Sequence, residues 1–161
     1  VRSRRRRERH PDAAPARDSE LGGSFDAMIR HSRMMHGVDL RGIVVYGSVV
    51  KGTATASSDL DLLIVLKPGH LVQRSLYRMW DEQPLEFGGH QVEPSIVTLP
   101  EDFAHVSGFW AEIATEGLPI WWSDLALHHY LVKLRDMMAR GALRRAHSHG
   151  QAYWINTAEV A

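Results

Sequence analysis

Two short runs constrain this chain more than anything else in it. Gly42-Ile43-Val44-Val45-Tyr46 is β-branched, apolar and bounded by glycines, and Leu60-Asp61-Leu62-Leu63-Ile64-Val65-Leu66 is apolar apart from its one aspartate. The first reads as a buried strand, and the second as a strand stopped by Pro68-Gly69. Helical spacing surrounds them. Ser24 is a candidate N-cap for a helix over 24–36, with Phe25, Met28, Ile29, Ser32 and Met35 on its stripe and Gly37 after it. Residues 70–81 read as a second helix, Gln91 to Leu99 as a third strand ended by Pro100, and Glu101 to Glu116 as a helix with Phe103, Val106, Trp110 and Ile113 on one face. Asp124 caps a last helix to about Arg140, striped by Leu127, Leu131, Leu134 and Met138. Strands alternating with helices point to an α/β or α+β sheet domain, without an internal repeat or a second domain.

Length and composition agree. The chain has 161 residues, 44% hydrophobic and 24% charged, which suits one globular domain with a real core. It has no cysteine, so disulfides, thiolate metal sites and cysteine nucleophiles are excluded. It has no apolar run long enough to span a bilayer and no apolar stretch behind its basic start, so the expected location is the cytoplasm. The net charge of zero hides an asymmetry. Residues 1–17 hold seven arginines and two acids, and the remainder is as acidic as that segment is basic. Residues 1–22 are expected to form a disordered basic arm and residues 23–161 the folded domain with a C-terminal helix. The arm reads either as a solvated tail or as a salt-sensitive, non-specific nucleic-acid contact.

The chemistry-bearing stretch is Tyr46-Gly47-Ser48-Val49-Val50-Lys51-Gly52, followed by Ser57-Ser58-Asp59-Leu60-Asp61. A strand runs into Gly47-Ser48 and the chain turns, with room for one helical turn over 48–56. Glycine lets backbone approach a phosphate, and a helix start offers N–H donors to an anion. Asp59 and Asp61 lie two apart at the mouth of an apolar strand, on one face and roughly 7 Å apart along it. At about 5 Å and an effective dielectric near 20, two carboxylates repel by about 3 kcal/mol. A divalent cation with oxygen ligands, magnesium above all, removes that cost. Taken alone, an Asp-x-Asp is an exposed strand end; here it follows a Gly-Ser turn.

Gly47-Ser48, ten residues, then Asp59-x-Asp61 leading into an apolar strand resembles the signature of the DNA polymerase β-like nucleotidyltransferase superfamily, and Gly52 and Ser58 fit the same pattern. Within it the chain is most similar to the minimal nucleotidyltransferase group, small bacterial proteins that include antitoxins paired with HEPN-domain ribonuclease toxins. The resemblance is specific over residues 43–66 and looser over 90–99. It implies a small mixed β-sheet flanked by helices, with Gly47, Ser48, Lys51 and Ser58 on the nucleotide and Asp59 and Asp61 on Mg2+ or Mn2+. A third carboxylate on a later strand completes the metal site and helps deprotonate the acceptor hydroxyl. The matching strand has Glu93 where the family usually has aspartate, and Pro94 beside it marks an edge or a bulge. Val49 stands where relatives often carry arginine.

The implied activity is transfer of a nucleoside monophosphate, AMP from ATP by the family's habit, to a hydroxyl, with a HEPN-type toxin as a candidate partner. The alternative is a catalytically weak or inactive module that neutralises its partner by occlusion. Ten histidines suggest zinc, but His128-His129 diverge on a helix, His147 and His149 fall in an expected loop, and His90 and His105 have only nearness in sequence to the site. Trp110, Trp121 and Trp122, and the Tyr153-Trp154-Ile155 run, read as packing or as a partner surface.

Overall fold

A computed structural model describes residues 24–157; the basic arm read over 1–22 lies outside them. In chain order the elements are α1 (Asp26–His36), β1 (Leu40–Tyr46), α2 (Ser48–Lys51), β2 (Leu60–Leu66), α3 (Arg74–Glu82), β3 (Glu86–Phe87), β4 (His90–Thr98), α4 (Gly108–Glu116), β5 (Leu118–Trp122), α5 (Ala126–Ala139), β6 (Leu143–Ser148) and β7 (Gln151–Asn156). Five strands form a mixed sheet in the order β3-β4-β2-β1-β5, and β6 and β7 form a separate hairpin. β2 pairs antiparallel with β1 and parallel with β4, while β5 closes the far edge antiparallel to β1.

The two apolar runs are the central strands, and both of their faces are covered. Ile43, Val45, Leu62 and Ile64 pack with Phe25, Met28 and Trp80 of the α1 and α3 layer. Val44, Leu63 and Val65 pack with Trp110, Ile113, Leu127, Leu131 and Leu134 of the α4 and α5 layer. This explains why β1 and β2 show no polar alternation: neither has a solvent face.

Several boundaries depart from the sequence reading. Ser24 is not the N-cap of α1; Phe25 holds that position, and the Ser24 hydroxyl instead accepts a hydrogen bond from the Asp26 N–H at 3.2 Å. Asp124 likewise stands two residues ahead of α5, accepting from the Ala126 N–H at 2.9 Å. The helix expected over 70–81 starts only at Arg74. The helix expected from Glu101 starts at Gly108, because the Ser107 hydroxyl caps the Trp110 N–H, while Asp102 closes a turn onto the Ala104 N–H. Residues 118–122, to which the sequence reading assigned no strand, are an edge strand with Pro119 in it. His147 lies in β6 rather than in a loop, and only His149 and Gly150 form the turn, both at positive φ. On α5 the buried methionine is Met137, with Met138 partly covered.

Under the sheet, His31 and His36 of α1 are buried around Trp80. The Trp80 Nε1–H donates to His36 Nε2 at 3.1 Å, and the buried His31 Nε2 has no hydrogen-bond partner among the described residues. Burial, with the nearby His70 and His31 adding to it and Asp39 opposing, lowers His36 to about 4. Burial also lowers His31. The unfolded chain therefore takes up these protons first, at about pH 6.5. Stability is full above that pH and is lost as pH falls from there toward 4. The thermal midpoint should fall between pH 7 and pH 5. His36→Gln, which keeps an acceptor for the indole, should show a shallower fall; equal slopes in thermal melts of the two proteins would contradict this.

Candidate active site

The site sits where β1 ends and β2 begins. Tyr46 is the register partner of Asp61 on β2, and Asp61 is the register partner of Glu93 on β4. Side chains directly opposite in a sheet share a face. Tyr46, Asp61 and Glu93 therefore form one row across three strands, on the side covered by α4 and α5. The Tyr46 hydroxyl reaches Ser95 Oγ on that face at 3.0 Å. Burial pushes the Tyr46 phenol up, the Ser95 hydrogen bond opposes it, and the charges of Asp61 and Glu93 add to the rise.

Gly47 is the tightest point. Its backbone, at φ 80 and ψ −158, lies in a region open essentially only to glycine. A Cβ there would strike the Asp61 carboxylate oxygen and come within 3.0 Å of its Cγ. The backbone of the Gly47-Ser48 turn thus lies against the Asp61 carboxylate, and Ser48 opens the single turn of α2. The first N–H groups of such a turn have no intrahelical acceptor. Burial first, and then the charge of Asp59, raises the Asp61 carboxyl, while Lys51 opposes them. Asp59 is exposed just ahead of the strand. The pair has the like-charge character read from the sequence.

The other expected residues are placed less simply. Lys51 Nζ bonds Glu116 Oε2 of α4 at 2.7 Å, a partner that sequence spacing gave no way to find. Ser58 shapes the loop before Asp59. Its Oγ accepts from the Thr55 N–H at 2.8 Å, and its carbonyl lies 2.6 Å from His90 Nδ1. His90 thereby ties the loop to the start of β4. Glu93 is exposed, on a strand that β3 pairs only at His90 and Gln91. Pro94 therefore stands on an unpaired edge, and the β2–β4 register runs through it without a bulge. Phe109 of α4 meets Tyr46 edge-on at 5.7 Å and is 37% exposed, an aromatic wall beside the row that the sequence reading did not single out.

Among the described residues no three histidine or acidic side chains gather closely enough to enclose a metal ion. An ion here would be held by Asp59 and Asp61 with phosphate and water oxygens, which is how magnesium is commonly bound. The glycine cradle and the raised Asp61 fit that arrangement.

The Gly47-Ser48 turn lies against the Asp61 carboxylate at the start of a central strand of a mixed sheet. Residues 35–114 match the nucleotidyltransferase domain family, and this domain belongs to it. No curated protein sequence matches the chain. Solved structures of similar shape include a toxin–antitoxin crystal structure with AMP-PNP, at 17% identity and a TM-score of 0.47, covering 71% of this chain and 87% of that one. Another is a tri-AMPylated Shewanella oneidensis HEPN toxin in complex with MNT antitoxin, at 14% identity and a TM-score of 0.43, covering 71% and 83%. Among the described residues no helix is long and apolar enough to cross a membrane.

Two substitutions test the geometry through stability alone. Gly47→Ala should destabilise the domain by about 1–3 kcal/mol, since it adds both backbone strain and a collision with Asp61. Asp61→Asn should hold or raise the thermal midpoint at pH 7. The raised carboxyl makes ionisation unfavourable to folding, so that advantage should shrink as pH falls to about 4. A neutral Gly47→Ala, or an Asp61→Asn that destabilises at pH 7, in thermal melts would overturn the placement.

Proposed function

We propose that this domain transfers a nucleoside monophosphate, AMP from ATP in the first instance, to a hydroxyl acceptor and releases pyrophosphate. The observation that carries the reading is the Gly47-Ser48 turn set against Asp61, with Asp59 before it and Glu93 beside it in register. Gly47 and Ser48 would receive the triphosphate through backbone N–H groups and the Ser48 hydroxyl. Asp59 and Asp61 would hold Mg2+ or Mn2+. A divalent ion at such a site assists attack of the acceptor oxygen and neutralises charge on the leaving pyrophosphate.

The acceptor oxygen forms its new bond to the α-phosphorus as the bond to pyrophosphate breaks, and Glu93 is the nominated base for the acceptor proton. Lys51 would exchange Glu116 for a β- or γ-phosphate oxygen, as a point charge on a flexible stem can. Ser58 contributes by holding the Asp59 loop in shape. The acceptor we favour is a hydroxyl of a partner protein, a HEPN-type toxin, following the resemblance to the minimal nucleotidyltransferase group.

A second reading has its own support. Lys51 is engaged by Glu116, and among the described residues the exposed Glu93 does not gather with two further acids or histidines into a metal-sized cluster. A domain that stayed in that state would act on a partner by occlusion rather than by transfer.

The test is a transfer assay with α-phosphate-labelled nucleoside triphosphates, magnesium or manganese, and host lysate. Wild type should label a macromolecule, and Asp59→Asn should lower the rate at least about a hundredfold. Glu93→Gln should also slow transfer, by about 10²–10⁴-fold for a lost base. Label transfer undiminished in Asp59→Asn would sink the mechanism, and the absence of both transfer and triphosphate binding in wild type would favour occlusion.

A further inference from the structure

The β6–β7 hairpin differs in charge from the rest of the domain. Residues 24–142 hold ten lysines and arginines against fourteen acids, whereas residues 143–157 hold two arginines, two histidines and no acid. The hairpin is closed by a two-residue turn, His149 at φ 50 and Gly150 at φ 79, the conformation that matches the twist of paired strands. One of its faces is fixed to the domain. Trp154 Nε1–H donates to Glu112 Oε1 of α4 at 3.0 Å, and Arg145 pairs with the same carboxylate at 3.3 Å.

The other face is open. Register pairs Arg144 with Ile155, Ala146 with Tyr153 and Ser148 with Gln151, so these six side chains share it. Tyr153 stands opposite the small Ala146 and is 47% exposed. Arg144, diagonal to it, is exposed, and no carboxylate among the described residues pairs with it. A half-exposed aromatic ring beside an arginine, on a hairpin free of acids, has what a base and its phosphate need: a stacking face and a cation.

We propose that this face of the β6–β7 hairpin binds single-stranded nucleic acid, with a base stacked on Tyr153 and a phosphate on Arg144. Binding here does not depend on whether the Asp59–Asp61 site transfers nucleotide. An acidic peptide would use the charge and leave the ring idle, so nucleic acid fits more of the surface. Nothing on this face reads a 2′-hydroxyl, and RNA and DNA should bind alike.

The experiment uses the full chain with fluorescent oligo(U) and oligo(dT) in anisotropy titrations at physiological salt, beside photocross-linking of a 4-thiouridine oligonucleotide and peptide mapping. Both oligonucleotides should bind. Tyr153→Ala and Arg144→Ala should each weaken binding about fivefold to tenfold, the scale of one lost stacking or phosphate contact, while Arg78→Ala on α3 leaves it unchanged. The cross-link should fall in the tryptic peptide that begins at Ala146. Cross-links confined to residues 1–17, or affinities indifferent to Tyr153 and Arg144, would overturn the proposal. So would a poly-glutamate peptide competing as well as the oligonucleotide. Unchanged thermal midpoints of the two variants show that any loss belongs to the surface and not to the fold.

Discussion

The contact between the Gly47 backbone and the Asp61 carboxylate is the constraint around which the domain is arranged. It requires β1 and β2 to be antiparallel neighbours in one register, and that register carries Tyr46 opposite Asp61. It requires a residue without a Cβ, at a backbone conformation closed to other residues. The apolar layers on both faces hold the strands so firmly that a half-buried carboxylate, raised by burial and by Asp59, is kept where it is.

The second layer ties the site to the rest of the chain. α4 supplies Glu116 to Lys51, Phe109 to Tyr46 and Glu112 to the hairpin's Trp154 and Arg145. One nine-residue helix therefore touches Lys51, the aromatic ring beside Asp61 and the hairpin. A shift of α4 along the sheet would be felt at all three. Glu116 is the counter-charge that holds Lys51 beside the Asp61 edge.

Much of this was legible in the sequence, for identifiable reasons. β2 was readable to the residue because a run of buried aliphatics ends at Pro68-Gly69, and the Gly-Ser turn and paired aspartates stood out because like charges at a strand mouth need an explanation. Edges were harder. β5 has only five residues, contains Pro119 and lies beside tryptophans that suit a turn equally well. The β6–β7 hairpin turns at His149-Gly150 rather than at Asn-Gly or Asp-Gly, so its signal was weak. The start of α4 was misjudged because Phe103 and Val106 keep a helical period while lying in a turn; Phe103 stacks on Tyr130 at 5.0 Å without being helical. Long-range partners such as Glu116 for Lys51 leave no trace in local spacing.

The central claim is that Asp59 and Asp61 hold a divalent ion together with a triphosphate laid on the Gly47-Ser48 turn. Its most direct measurement is electron paramagnetic resonance of Mn2+ titrated into the protein with a non-hydrolysable ATP analogue. The account predicts that wild type with the analogue binds one Mn2+ more tightly than the analogue alone, and that the extra affinity disappears in Asp61→Asn while the fold stays intact. Equal Mn2+ binding by wild type and Asp61→Asn would contradict it.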